Sequence, residues 1–320
     1  MAPLKAERQT ATVPQIWIVE IETPFFRRFS APPPPVLMTT TSGPSLPSLA
    51  AVCALAFTFL TSLASADDVF DLVVVYPGGP NPGSSQQNVI DDFVSRLTGE
   101  LSLTLKGTYF NDTEAAAAFL ADHPNSFVFG STGFFLAQRE ALSLVPELTV
   151  ILPDEHPEQY FLVCRKGAFS DLASMKGKSI SGSPLYVSSS FLDQIVFAGK
   201  AAVSEFELQP TNRPLSALRK LTSGDLDGVL LGAPQYHSLS GLPLADELDT
   251  VFASAPIASV GFMRTDNEST AKVAAHLTEA LIQLSQTPEG AEACKGFGVA
   301  GFATPDQEAV AKLIESYEAP

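Results

Sequence analysis

One stretch decides the fold: Ser126-Phe127-Val128-Phe129-Gly130-Ser131-Thr132-Gly133-Phe134-Phe135-Leu136-Ala137. A β-branched and aromatic run ends at Gly130, and an apolar segment with helical spacing begins at Phe134, so a strand leads into a helix. Ser131 and Thr132 stand at the predicted helix N-terminus. The free N–H groups and partial positive charge of a helix start, with two hydroxyls beside them, suit an anion. For one such junction alone, a plain N-cap is the simpler interpretation.

The same junction recurs further along the chain. Ile180 begins a short strand, Gly182-Ser183-Pro184 makes a turn, and Ser188-Ser189-Ser190 precedes a helical pattern from Phe191 to Val203. A second hydroxyl cluster therefore lies at a second predicted helix N-terminus. The recurrence favours an anion site built from both helix starts over two unrelated caps.

The composition excludes one large class of function. The chain has 320 residues, of which 45% are hydrophobic and 17% charged, which is typical of a compact globular protein with room for two domains. Its formal net charge is −16, and it has no cluster of Lys and Arg to hold a phosphate backbone. We therefore expect a small ligand and no nucleic-acid partner.

Residues 1–66 are predicted to lie outside the fold, as an N-terminal extension and signal peptide. An uncharged apolar run from Leu49 to Leu63 ends in Ala64-Ser65-Ala66, the pattern of a signal peptide cleaved after Ala66. The run is too short for a membrane span, so the processed protein is not expected to span a membrane. We interpret Met38 as the true start. A long signal peptide that includes the earlier basic residues is the alternative.

Strand and helix patterns alternate through the processed chain. Asp71 to Tyr76 reads as a buried strand, and Leu101 to Leu105 as a second strand before the one that ends at Gly130. This order predicts an α/β fold whose sheet binds ligands at the carboxyl ends of its strands. A second alternating series follows, and a strand predicted from Ile257 to Arg264 runs back.

The order of these blocks resembles a known family. Phe129-Gly130-Ser131-Thr132, then Tyr160 to Lys166, then Asp171-Leu172-Ala173-Ser174-Met175-Lys176-Gly177-Lys178, and then a serine-rich helix start look like periplasmic ABC-transporter solute-binding proteins of the phosphate/phosphonate-binding family. The likeness covers nearly all of 68–318. It implies the type II, two-lobed fold, in which each lobe has a mixed, mostly parallel sheet wrapped by helices and the ligand cleft lies between the lobes. We place lobe 1 at 67–160 with a return at 255–320, and lobe 2 at 161–254.

The resemblance also implies ligand-binding positions. Ser131 and Thr132 match the donors of the first lobe, and Ser188 and Ser189 match the pair in the second lobe. A slide by one residue would add Ser190. Tyr76 matches a position that commonly reaches into the cleft.

Further candidate contacts follow the next predicted strand. Gln235 and Tyr236 open a helix after Leu231, where aminoalkylphosphonate binders carry acidic side chains for the ligand ammonium. The absence of acid between Leu231 and Tyr236 disfavours an aminophosphonate and leaves phosphate, phosphite, a simple phosphonate or another oxyanion open. For Tyr236, packing at the helix start is an equal alternative to cleft contact.

No catalytic or metal-binding pattern stands out. Ser131 lies in Gly130-Ser131-Thr132-Gly133, which lacks the Gly-x-Ser-x-Gly spacing of a hydrolase nucleophile. Close spacing for metal ligation is absent among the histidines, which are His123, His156, His237 and His276. We therefore expect no enzyme activity, cofactor or metal. Cys164 and Cys294 remain after processing, and the sequence leaves open whether they form a disulfide.

Two function classes remain at this point. In the first, an exported, periplasmic binding protein captures a small oxyanion and delivers it to an ABC permease in the inner membrane. In the second, the same two-lobed protein is the ligand-binding subunit of a membrane histidine kinase, or binds a different small anionic metabolite. The sequence alone does not discriminate between transport and sensing.

Overall fold

A computed structural model describes residues 69–99, 101, 103–153 and 156–319. The predicted signal peptide, the start at Met38 and the mature N-terminus at Asp67 lie outside these residues. No helix among the described residues is long and apolar enough to cross a membrane.

The described residues form an α/β structure. The strands are β1 (Val69–Val75), β2 (Thr104–Phe110), β3 (Ser126–Phe129), β4 (Leu144–Ile151), β5 (Tyr160–Arg165), β6 (Ser179–Gly182), β7 (Glu207–Pro210), β8 (Gly228–Gly232), β9 (Leu248–Ala253), β10 (Phe262–Thr265) and β11 (Gly301–Ala303). The α-helices are α1 (Ser84–Thr98), α2 (Thr113–Asp122), α3 (Thr132–Gln138), α4 (Ser189–Phe191), α5 (Pro214–Ser223), α6 (Ala233–Ser238), α7 (Glu268–Leu284), α8 (Pro288–Gly296) and α9 (Gln307–Glu318).

The strands form two mixed sheets. The first has the order β11-β4-β10-β3-β1-β2, with β1 parallel to β2 and β3, while β10 and β11 run antiparallel to their neighbours. The second has the order β7-β6-β8-β5-β9, in which only β5 opposes the common direction. We call the part built on the six-stranded sheet the first lobe, and the part built on the five-stranded sheet the second lobe.

The core of the first lobe follows from its residue types. Every residue of β3 is buried, and its Phe127 stacks on Phe262 of the neighbouring β10 with ring centroids 5.7 Å apart. On one flank, α1 buries Ile90, Phe93, Val94 and Leu97, which recur at the spacing of a single helix face. A strand that is apolar on both faces needs such cover, so helices wrap this sheet.

The chain crosses between the two sheets twice, from β4 to β5 and from β9 to β10. These crossing segments lie side by side, because the Ile257 N–H donates to the Glu158 carbonyl and the Ser254 N–H donates to the Tyr160 carbonyl, both at 2.9 Å. Paired crossing segments are where one lobe can turn against the other.

Some predicted element boundaries were wrong. The helix expected from Phe191 to Val203 is a short α-helix, α4, that continues as a π-helical segment, Leu192–Val196. It stops because Ala198 and Gly199 adopt positive φ angles of 49° and 69°, and Asp193 Oδ1 then accepts the Val203 N–H at 2.6 Å. The strand expected over 101–105 begins later and is β2, Thr104–Phe110. Of the strand expected over 257–264, only the end is a regular strand, and it belongs to β10.

Candidate functional site

The first predicted anion site lies where β3 passes into α3. Ser131 is the N-cap residue, and its Oγ accepts the Phe134 N–H at 3.2 Å. Thr132 is 1% exposed, and its hydroxyl donates to Glu158 Oε2 at 2.5 Å while accepting the Val260 N–H at 3.1 Å. The Thr132 hydroxyl is therefore held by both crossing segments.

Glu158 joins the two lobes at this point. Its second carboxyl oxygen, Oε1, accepts the Tyr160 hydroxyl at 2.9 Å at the start of β5. Burial raises the pKa of Glu158, although the hydrogen bonds from Thr132 and Tyr160 act in the opposite direction. Burial and the neighbouring carboxylate raise the pKa of the Tyr160 phenol well above its ordinary value. A carboxyl group with a raised pKa thus lies next to the predicted anion donors.

The second predicted anion site lies at the start of α4. Ser188 is the N-cap residue, with its Oγ accepting the Phe191 N–H at 3.2 Å. Ser189 and Ser190 are exposed. This helix start therefore offers hydroxyls that solvent can reach, in contrast to the buried Thr132.

The structure brings the two helix starts together across the lobes. A Cβ atom added to Gly133 of α3 would lie 3.0 Å from the ring of Phe191 in α4. The Phe191 ring in turn packs edge-on against Tyr160, with centroids 5.9 Å apart. A cavity of about 40 Å³ is lined by residues of both helix starts, and its lining includes Pro77, Thr113, Gly133, Phe134, Val187 and Ser188.

Tyr76 follows β1 directly, as predicted for a residue at the carboxyl end of that strand. Its N–H donates to the Phe110 carbonyl at 2.9 Å. Burial of the side chain raises its pKa to about 12, so the phenol is a neutral hydrogen-bonding group at neutral pH.

Gln235 and Tyr236 make their contacts within the second lobe. The Gln235 amide nitrogen donates to Ser183 Oγ at 3.0 Å, and its Oε1 accepts the Gly232 N–H at 3.3 Å. The Tyr236 ring stacks on Phe161 at 3.8 Å, and its hydroxyl lies 2.9 Å from Thr250 Oγ1. The structure thus shows Gln235 in hydrogen bonds and Tyr236 in a ring stack within the second lobe, and ligand contact by them stays a prediction.

Sequence reasoning missed Glu158 as a neighbour of the predicted site. Its hydrogen bond to Thr132 spans 26 residues, and the sequence shows it only as the end of a polar loop. The pairing of the crossing segments, which no local pattern reports, brings it there.

The sequence left open whether the two cysteines form a disulfide. Cys164 and Cys294 are both buried, and they do not form a disulfide.

Comparison with known proteins decides the family. A family model described as ABC transporter, phosphonate, periplasmic substrate-binding protein matches residues 80–310. The chain belongs to this family. A search of curated protein sequences finds no match. As a phosphonate-family substrate-binding protein, the chain has an ABC-transporter solute-binding function, and the suspected family is confirmed.

Solved structures show the same fold at low sequence identity. The Xanthomonas citri protein XAC2383, bound to chloride ion, is 17% identical with a TM-score of 0.63, and the match covers 79% of this chain and 96% of that one. A binding protein component of an ABC phosphonate transporter from Pseudomonas aeruginosa is 12% identical (TM-score 0.57; 77% and 85% covered). PhnD1 from Prochlorococcus marinus, in complex with methylphosphonate, is 14% identical (TM-score 0.53; 78% and 96% covered). The predicted type II periplasmic binding-protein fold is therefore confirmed.

Proposed function

We propose that the processed protein binds a small phosphonate, phosphate or phosphite in the periplasm, between its lobes, and passes it to an ABC permease. One observation carries the proposal: two serine-capped helix starts, one from each lobe, meet through Gly133 and Phe191. Opposed helix starts offer N–H groups and partial positive charge to an anion without Lys or Arg. A protein whose net charge is −16 can thus still bind an anion.

Ser131, Thr132, Ser188 and Ser189 are the proposed hydroxyl donors, and a shift of the second cluster by one residue would bring in Ser190. Thr132 can donate to an anion only when its hydroxyl proton turns away from Glu158 Oε2, which accepts it in this structure. Tyr76 supplies a neutral phenol from the end of β1. Gln235 and Tyr236 are proposed as further ligand contacts from the second lobe. The methylphosphonate in the Prochlorococcus marinus protein makes a simple phosphonate the first ligand to test. The proposal keeps the predicted lobe boundaries, with the second lobe at 161–254 and the return to the first lobe at 255.

Calorimetric titration with methylphosphonate, phosphate and phosphite tests the proposal. Thr132→Ala and Ser188→Ala should each weaken binding by about ten- to a hundredfold, because a hydrogen bond to a charged acceptor contributes about 1.5 to 3 kcal/mol. Thr287→Ala is the matched control, since Thr287 Oγ1 caps α8 by accepting the Gly290 N–H at 3.0 Å. It should lower stability and leave affinity unchanged.

Two results would contradict the proposal. If none of the three anions binds, the ligand class is wrong. If Thr132→Ala and Ser188→Ala bind as tightly as the control, the hydroxyls only cap or position helices.

A further inference from the structure

A tyrosine of the second lobe lies directly on a glycine of the first. Gly78 follows β1 and has a φ of +68°, and a Cβ atom added to it would lie only 2.0 Å from Cδ2 of Tyr186. Tyr186 ends the short 3₁₀ segment Ser183–Tyr186 after β6. Real Cβ atoms essentially never approach another heavy atom this closely, so the ring occupies space that exists only because residue 78 has no side chain.

The loop beneath the ring is fixed by its own hydrogen bonds. The Gly78 N–H donates to the Asn111 carbonyl at 3.1 Å, and the Asn111 amide donates to the Gly79 carbonyl at 3.3 Å. The Tyr109 hydroxyl donates to the Pro80 carbonyl at 3.0 Å. The loop cannot retreat from a larger residue 78 without losing these bonds, so a clash with Tyr186 must be relieved by moving the second lobe or the ring.

Tyr186 is placed to respond to such a change. It is 39% exposed, so part of the residue faces solvent while the ring lies against Gly78. A second contact of the same kind joins the lobes, where Phe191 packs on Gly133 with an added Cβ at 3.0 Å. The Gly133 contact is looser by about an ångström, and a small shift of the Phe191 ring would accommodate a methyl group there.

We propose that Gly78 and Tyr186 form a closing contact that determines how completely the two lobes shut, and that Tyr186 is therefore an affinity-determining residue outside the anion-binding hydroxyls. An aromatic ring on a bare backbone gives close apolar contact at small entropic cost. A ligand held by both lobes binds only the closed arrangement, so its apparent affinity falls with the closed fraction. The affinity readout rests on the proposed function, whereas the lobe closure does not.

The experiment compares four variants of the protein purified after export. Gly78→Ala adds the clash. Gly167→Ala is the matched control, because Gly167 has nearly the same φ of +70° and an added Cβ there meets nothing within 4 Å. Tyr186→Ala removes the ring, and the double variant Gly78→Ala/Tyr186→Ala restores the space. Each is measured by small-angle X-ray scattering, with and without saturating methylphosphonate, and by calorimetric titration with methylphosphonate.

Gly78→Ala should have a larger radius of gyration than Gly167→Ala in the presence of methylphosphonate, and about tenfold weaker binding if the closed fraction falls tenfold. The strain of a non-glycine residue at positive φ is common to both variants and cancels. Adding Tyr186→Ala to Gly78→Ala should return the radius of gyration to that of Tyr186→Ala alone. Such non-additivity is the signature of direct contact.

Equal radii of gyration for Gly78→Ala and Gly167→Ala, with and without methylphosphonate, would overturn the closing contact. A double variant as open as Gly78→Ala would overturn it too, because the ring would then not be the obstacle. If methylphosphonate fails to bind the unmodified protein, the proposed ligand is wrong. Scattering without ligand then decides the contact, with a larger radius for Gly78→Ala than for Gly167→Ala expected.

Discussion

The starts of α3 and α4 have the same kind of serine N-cap but differ in the surroundings of the hydroxyl that follows it. Ser131 and Ser188 each accept an N–H three residues ahead at 3.2 Å. After that, Thr132 is buried and bonded to Glu158, whereas Ser189 and Ser190 are exposed. The comparison teaches that local sequence determines the cap, and that contacts with distant residues determine whether the next hydroxyl holds the protein together or faces solvent.

The largest expected difference concerns stability. Thr132→Val removes a hydroxyl that donates to the Glu158 carboxyl and accepts the Val260 N–H. Leaving buried partners unsatisfied costs about 1 to 3 kcal/mol, so urea unfolding should show a loss of that size. Ser189→Ala at the exposed position of the other helix should change stability by less than about 0.5 kcal/mol. Equal losses in the two variants would remove the distinction between the helix starts.

A pH series isolates the contribution of Glu158. Its folded-state pKa is raised above the ordinary value near 4.5, because burial disfavours the charged carboxylate. The stabilisation from this group is fully present below that ordinary value and is lost as pH rises through the folded-state pKa. Glu158→Gln cannot titrate, so its unfolding free energy should fall less than that of the unmodified protein as pH is raised from 4 to 8.

The pH comparison has an internal control. Glu207→Gln makes the same substitution at an exposed strand position and serves as the reference for Glu158→Gln. If Glu158→Gln shows the same decrease in unfolding free energy with pH as the unmodified protein, another group causes that decrease. The titration of Glu158 would then not be a difference between the α3 and α4 starts.

The smallest expected effect concerns the caps themselves. Ser131→Ala and Ser188→Ala each remove one N-cap acceptor and should each cost about 1 kcal/mol. Because the two caps have the same geometry, thermal unfolding should show similar losses for the two variants. A much greater loss for Ser131→Ala would mean that the Glu158 hydrogen bonds also depend on the α3 cap.

Much of the fold could be predicted because its signals are local. The all-buried run of β3 and the capping Ser131 are readable in the sequence, and the order of blocks led to the correct family. The returning strand that contains β10 was predicted, but the three-residue strand β11 was not, because it is defined only by its antiparallel pairing with the distant β4. The early end of the helix after Ser188 depends on the positive φ of Ala198, which a hydrophobic pattern does not report.

The candidate site divides in the same way. Both capping serines were predicted from residue type alone, and the structure places both at helix starts. Glu158 and Tyr160 were not predicted, because their hydrogen bonds arise only when the crossing segments pair. The Gly78 contact with Tyr186 likewise depends on the approach of two lobes, and a glycine after a strand reads as nothing more than a turn.

The position of β10 has a consequence for the order in which this protein can assemble. β10 lies between β3 and β4 and is the strand that links them, yet it follows the whole second lobe in the chain. Until residue 265 has emerged, β4 therefore has no neighbour through which to join β1, β2 and β3. A chain synthesised from its N-terminus can complete the second lobe before the first, so the lobe that begins the protein is the last to be finished.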